Sequence, residues 1–215
     1  PPLPPGPAIL DPVALAEPDG EGRRAVTGRV TIERPVRDAA ALVLLYPDAD
    51  GEAHLVLTLR HDGTHRHAGQ VSFPGGRRDP GDDFPVGTAL REATEEVGLD
   101  AARAGVRVLG RLDPIDVRVS GFRLVPVVAV AAADPVLTPD PHEVDRIVRA
   151  PVAAFLPGAP IEVVEEERDG WWLRYGAFPI AGLRVWGATA RALGQLGAIL
   201  RSEEHTSELQ SRLHL

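Results

Sequence analysis

The chain has 215 residues, 44% of them apolar and 25% charged, with 22 Gly and 21 Pro. That length fits one domain with appendages, large enough to bury a core unaided. The absence of Cys excludes a disulfide framework, a thiolate zinc site and a cysteine nucleophile, and a net charge of −8 argues against an electrostatic nucleic-acid binder.

All 23 basic residues are Arg, so no lysine can act as a Schiff base or general base. No Met occurs, even at position 1, and a start upstream of Pro1 is expected. The first 25 residues are rich in Pro, Gly and charge and read as an extended arm, ordered only if docked. They lack the basic and apolar regions of a secretory signal. The longest apolar stretch, residues 124–133, contains Pro126 and falls short of the ~18–20 residues of a membrane span. No membrane partner and a cytoplasmic location are the expectations.

Residues 39–45 form an apolar run, 47–51 a turn cluster, and Leu55, Leu57 and Leu59 alternate with Val56, Thr58 and Arg60. This pattern predicts a hairpin of buried strands. Residues 61–76 read as a loop. A helix follows, with Val86, Ala89, Leu90, Ala93 and Val97 on one face, Glu92, Glu95 and Glu96 nearly opposite, and Gly98 placed to end it. Residues 106–112 and 123–130 are expected strands. Residues 161–167 and 171–175 flank Asp169-Gly170 as a second hairpin. Residues 188–200 form a closing helix with a stripe of Ala192, Leu193, Leu196, Ile199 and Leu200. Strands mixed with two helices indicate an α/β (α+β) domain over residues 26–201. At Ser202 the composition changes abruptly, and residues 202–215 resemble an appended read-through tail.

Glu92, Glu95 and Glu96 are spaced i, i+3, i+4, which brings three carboxylates together on one helical face. Such a hard-oxygen set suits Mg2+ or Mn2+. Gly75-Gly76 lets backbone approach a ligand or metal, since no Cβ intervenes. Asp82 could add a carboxylate or favour the helix N-terminus. Arg91 could orient a glutamate by a charge-assisted hydrogen bond. His61, His65 and His67 imitate a zinc set but lack a fourth ligand. An acidic helix face alone would be an ordinary solvated surface.

Taken together, Phe73-Pro74-Gly75-Gly76, Asp82 and Arg91-Glu92-Ala93-Thr94-Glu95-Glu96-Val97-Gly98-Leu99 resemble the Nudix box. Two departures stand out: Asp82 replaces the usual Glu, and one extra residue separates Gly76 from Arg91. Both features, with Ala89-Leu90-Arg91-Glu92-Ala93, are similar to the coenzyme A pyrophosphatase branch. So are Leu57-Thr58-Leu59-Arg60, Gly69-Gln70-Val71-Ser72, residues 120–128 and residues 185–190. That branch often carries Arg where this chain has His65, with Arg66 adjacent. The resemblance implies an α/β/α sandwich with a mixed sheet and a metal-dependent hydrolase that cuts coenzyme A to 3′,5′-ADP and a 4′-phosphopantetheine product. Other implied substrates are ADP-ribose, NADH and dinucleoside polyphosphates, and a non-catalytic nucleotide-binding module is the alternative of another class.

The implied metal set is Gly76, Asp82, Glu92, Glu95 and Glu96, with Mg2+ or Mn2+ as cofactor. Arg91 would hold the glutamates, and Glu96 or the downstream Glu143 would act as general base, with Glu95 alongside. Arg60 and Arg66 would pair with phosphates. Phe73, Gly75 and Phe122 would contact substrate, Phe122 by stacking, whereas Trp171 and Trp172 read as packing residues. Relatives of this branch can dimerise, so a homodimer is a possible partner state.

Overall fold

The computed structural model describes residues 3–19, 21, 24–28, 36–61, 70–117, 120–168 and 171–201, without the side chains of Arg168 and Trp171. Arg66, His65, His67 and Gly69 lie outside the described residues, as do Asp169-Gly170 and the 202–215 tail.

The arm carries β1 (Val13–Leu15) and β2 (Val26–Gly28). The expected first hairpin is β3 (Arg37–Pro47) and β4 (Ala53–Arg60), paired antiparallel with Leu45 opposite Leu55. Next come β5 (Val71–Ser72), β6 (Gly75–Arg77) and α1 (Val86–Val97). The middle of the chain forms β7 (Arg107–Arg111), β8 (Ile115–Val117), β9 (Phe122–Val130) and β10 (Val144–Pro151). The second expected hairpin is β11 (Glu162–Arg168) and β12 (Trp171–Ile180), followed by β13 (Leu183–Val185) and α2 (Gly187–Arg201).

The central sheet has the order β10-β4-β3-β9-β7, with β5 on β4, β6 on β3 and β8 on β9. It is mixed, because β3 and β9 run parallel while β4 is antiparallel to β3. The apolar run of β3 follows from burial on both faces. Ala41, Val43 and Leu45 pack on the side of α2, with Leu193, Leu196 and Ile199. Ala40, Leu42, Leu44 and Tyr46 pack on the side of α1, with Ala89, Ala93 and Val97. The result is the expected α/β/α sandwich. A second sheet, β11-β12-β1-β2, joins the hairpin to the arm.

The arm is docked. Leu10, Ala14 and Leu15 are buried, and β1 pairs with β12. Two close approaches seat it: a Cβ on Gly6 would lie 2.8 Å from the Gln195 nitrogen, and one on Gly194 would lie 2.6 Å from Leu10. Trp172 packs under the Arg24 guanidinium, 3.5 Å from its ring centre. The side chain of Trp171 lies outside the description.

The loop expected over residues 61–76 is corrected at two places. Val71–Ser72 pairs with Thr58 and Leu59, and Gly75–Arg77 pairs with residues 39–41 of β3. These strands are too short to show a period in the sequence. The second matters for function, because it lays Gly75 and Gly76 on the strand that α1 also covers.

Candidate active site

α1 ends as its sequence requires. Gly98 takes a left-handed φ of 63°, and its N–H donates back to the Ala93 and Thr94 carbonyls. Two other carbonyls of the last turn, Glu96 and Val97, accept N–H groups from Asp140 and Thr138. The same segment runs on to Glu143, whose carbonyl accepts the His61 N–H at the end of β4. The C-terminal turn of α1, the end of β4 and the turn carrying Glu143 are thereby tied together.

The acidic face of α1 is not a solvated surface. The Glu96 side chain is 3% exposed and that of Glu92 15%, whereas that of Glu95 is 56% exposed. The difference arises because β6 covers the first two. Glu96 Oε2 accepts the Gly75 N–H at 3.1 Å. A Cβ on Gly76 would lie 2.5 Å from Glu92 Oε2, and one on Gly75 would meet the Ala40 carbonyl oxygen at 2.5 Å. Only glycines allow the carboxylates and the strand to meet this closely.

Arg91 organises the cluster. Its Nη1 donates to Glu95 Oε2 at 2.7 Å, and its Nη2 to Glu92 Oε1 at 2.9 Å and to the Arg77 carbonyl at 3.0 Å. The rest of the guanidinium faces Asp82, with Nε 3.3 Å from Oδ1 and Nη2 3.2 Å from Oδ2. Asp82 also accepts the Thr88 hydroxyl at 2.8 Å and the Asp79 N–H at 3.0 Å. Its oxygens are therefore engaged on Arg91, Thr88 and Asp79, and it caps no backbone N–H of α1. Thr88 and the Asp79 N–H are site residues that sequence reasoning missed. The Asp-x5-Thr spacing across the start of the helix was the available signal for Thr88; none existed for Asp79.

These surroundings set the protonation tendencies. The hydrogen bond from Arg91, reinforced by the Asp79 N–H and Thr88, holds the Asp82 carboxyl down at about 2. Burial raises Glu92, opposed by Arg91. Burial pushes Glu96 up to about 7, opposed by the Gly75 N–H and Arg60. A buried carboxylate in this state favours a proton or a bound cation.

Arg60 reaches the cluster from β4, with Nη1 3.5 Å from Glu96 Oε1 and Nη2 4.0 Å from Glu143 Oε2. Glu143 is 51% exposed. The structure thus gathers Arg60, Gly75, Gly76, Asp82, Arg91, Glu92, Glu95, Glu96 and Glu143. Among the described residues, no three His, Asp or Glu side chains converge closely enough to enclose an ion as they stand. The donor chemistry still fits a divalent cation: a buried Glu96 and a largely buried Glu92 face a strand whose Gly76 leaves no Cβ between Glu92 and its backbone.

The aromatic residues are placed differently from one another. Phe73 is 3% exposed and packs in the core on the side of α2, so the expected substrate contact gives way to a packing role. The cause is its position between β5, paired with β4, and β6, paired with β3, in the interior of the sheet. Phe122 is half-buried, and one face of its ring carries the Arg37 guanidinium at 4.2 Å.

Comparison with known proteins gives this geometry a family. Residues 36–181 match the NUDIX domain. The chain is 35% identical over 145 residues to NudL of Yersinia pestis (strain Pestoides F), an uncharacterized Nudix hydrolase, covering 67% of this chain and 71% of that protein. NudL of Yersinia pseudotuberculosis serotype O:1b matches equally. Among solved structures, RenU, a Nudix hydrolase from M. smegmatis, superposes with a TM-score of 0.52 at 19% identity, covering 92% of this chain and 95% of that one. With the glycine strand, the arginine clamp and the paired glutamates in place, the chain belongs to the Nudix hydrolase family, enzymes that act on phosphorus anhydrides and generally use divalent metal cations.

Proposed function

We propose that this hydrolase cleaves the diphosphate of coenzyme A, its thioesters or its oxidised forms, releasing 3′,5′-ADP and a 4′-phosphopantetheine product. The observation that carries the reading is the Glu92–Glu96 pair, Glu96 buried and Glu92 largely so, set against Gly75-Gly76, with Arg60 alongside. The placement of Arg60 supports the coenzyme A assignment in particular. It closes the Leu-Thr-x-Arg segment that resembles that branch, and it stands at the carboxylates rather than on a remote loop.

Glu92 and Glu96 would hold Mg2+ or Mn2+, with the Gly76 carbonyl and the exposed Glu95 as further donors. Such a cation would supply a water of lowered pKa and offset charge on the phosphates. Arg91 fixes Glu92 and Glu95, and Asp82 fixes Arg91, so Asp82 acts as a positioning residue. Glu143, exposed beside Arg60, takes the proton of the attacking water, or Glu96 does so. Arg60 and Arg66 meet phosphate, and Phe122 meets the adenine. Residues 26–201 are the hydrolase domain, 1–25 its arm and 202–215 a tail outside it. No helix among the described residues is long and apolar enough to cross a membrane, and we place the reaction in the cytoplasm.

Product analysis tests this reading. Coenzyme A, ADP-ribose and NADH are each incubated with the protein and Mg2+ or Mn2+, beside Glu95→Gln. Metal-dependent release of 3′,5′-ADP, selective over the other substrates and lost in the variant, is the expected result. Turnover of ADP-ribose or NADH in its place keeps the hydrolase and discards coenzyme A.

A further inference from the structure

Two arginines flank the glutamate cluster, and they hold it differently. Arg91 makes contacts of 2.7 Å and 2.9 Å to Glu95 and Glu92, within the range of strong charge-assisted hydrogen bonds. Arg60 stands 3.5 Å from Glu96 and 4.0 Å from Glu143. The backbone explains the contrast. Arg91 lies on α1 itself, beside Glu92 and one turn before Glu95, and its guanidinium is also locked by Asp82 and the Arg77 carbonyl. Arg60 is the last residue of β4, and its backbone N–H is bound to the Gln70 carbonyl. From there it reaches a carboxylate 36 positions along the chain at the limit of contact. Its position suits partial neutralisation, not a fixed clamp. Yet Glu96 is almost wholly buried, and a buried carboxylate without a cation is costly.

We infer that Arg60 is an exchangeable counter-ion: it neutralises Glu96 while the site holds no divalent cation, and it turns to the anionic substrate once a cation takes over that charge. The inference rests on the proposed reading of Glu92 and Glu96 as the cation-holding carboxylates. The physical argument is one of charge. Two cations on one buried carboxylate repel each other, so Arg60 opposes divalent binding in the free enzyme. An anionic phosphate beside the site offers Arg60 a second partner suited to its guanidinium fork. Substrate and cation then favour one another's binding, because each removes a competitor of the other. An arginine with only a packing role has no such consequence.

The experiment compares the full chain with Arg60→Gln, Arg60→Lys and Glu92→Gln. Mn2+ binding is followed by electron paramagnetic resonance without substrate, and thermal melting is recorded in chelator. Arg60→Gln is expected to bind Mn2+ about tenfold more tightly than the parent, since a nearby like charge has gone. It also melts lower in chelator, since Glu96 has lost its counter-ion. Arg60→Lys keeps the charge and stays within about twofold of the parent. Equal or weaker Mn2+ binding in Arg60→Gln overturns the inference, as does an unchanged melting point in chelator. A tightening shared by both Arg60 variants also overturns it, because charge would then not be the cause. Failure of the parent to bind Mn2+, or parent-like binding by Glu92→Gln, overturns the cation site itself and is read separately from the Arg60 result.

Discussion

α1 and α2 cover opposite faces of one sheet, and each lays small residues on it: Ala89 and Ala93 in α1, Ala190 and Ala192 in α2. They differ in where close approach is placed. In α2 the glycines are on the helix. A Cβ on Gly194 would strike Leu10 and Pro7 of the arm, and one on Gly197 would land on the Phe155 carbonyl oxygen. α2 is enclosed by sheet, arm and backbone together. Around α1 the close approach is on the neighbouring strand: a carboxylate, Glu92, fills the space beside Gly76, while Gly75 fits against the Ala40–Ala41 backbone of β3 and donates its N–H to Glu96. The same absence of a Cβ makes a tight joint in one place and a charged cleft in the other. Substitutions at the two helices should therefore separate stability from chemistry.

The largest separation is expected at Glu96. Glu96→Gln removes a carboxylate that burial already disfavours. Hydrolysis should fall about a thousandfold as the charged oxygens of the site are lost. The metal-free melting temperature should hold or rise, because an amide is cheaper to bury than a carboxylate. A fall in melting temperature equal to that of a core mutant would mean that Glu96 is structural.

Next in size is a crossed pair of glycines. Gly197→Ala meets rigid backbone and should cost about 3 kcal/mol in denaturant unfolding, with kcat per folded molecule unchanged. Gly76→Ala meets the far end of the Glu92 side chain, which can turn away. It should cost under about 1 kcal/mol yet lower kcat about thirtyfold, because a misplaced donor is felt directly in the rate. If both variants lose stability alike, the contrast between the two helices fails.

Asp82→Asn and Thr88→Val probe the layer behind Arg91. Each should lower kcat about tenfold through a looser Arg91. KM for substrate should stay near the parent value, and the required Mn2+ concentration should rise. A pure KM effect would place Asp82 against substrate instead.

Much of this architecture was legible in the sequence, and the exceptions have physical causes. The long run in β3 and the alternation in β4 announced a buried hairpin. Gly98 announced the end of α1, and the i, i+3, i+4 glutamates announced a carboxylate face. Helical periodicity set those glutamates nearly opposite the core, which implies exposure. Glu96 is buried because a three-residue strand opening with Gly75-Gly76 lies over it, and no local period encodes that partner. β10 was missed, although Val144, Val148 and Ala150 are its buried positions, because Pro141 and Pro151 bracket a segment rich in charge. The docking of the arm depends on Gly6 and Gly194, which lie far apart in the chain. Asp82 was seen as a carboxylate but not as the partner of Arg91, since that contact needs the loop before α1 to fold back.

The smallest effect refines the comparison on the side of α1 alone. Tyr46 ends the β3 run in the same core cluster as Ala89 and Ala93, and burial pushes its hydroxyl up to about 12. Like Glu96, it is an acid whose neutral form is favoured by its surroundings, but no chemistry is assigned to it. Its folded value lies above the ordinary tyrosine value of about 10. The stability it contributes is thus fully present below pH 10 and is lost as pH rises from 10 towards 12. Tyr46→Phe cannot ionise in either state, so its unfolding free energy should fall less steeply over that window, a difference of about 1 kcal/mol near pH 11. Hydrolysis at neutral pH should match the parent. Parallel alkaline curves for the two proteins would mean that the Tyr46 hydroxyl reaches water, and that burial on this side of the sheet is looser than the packing around Glu96 requires.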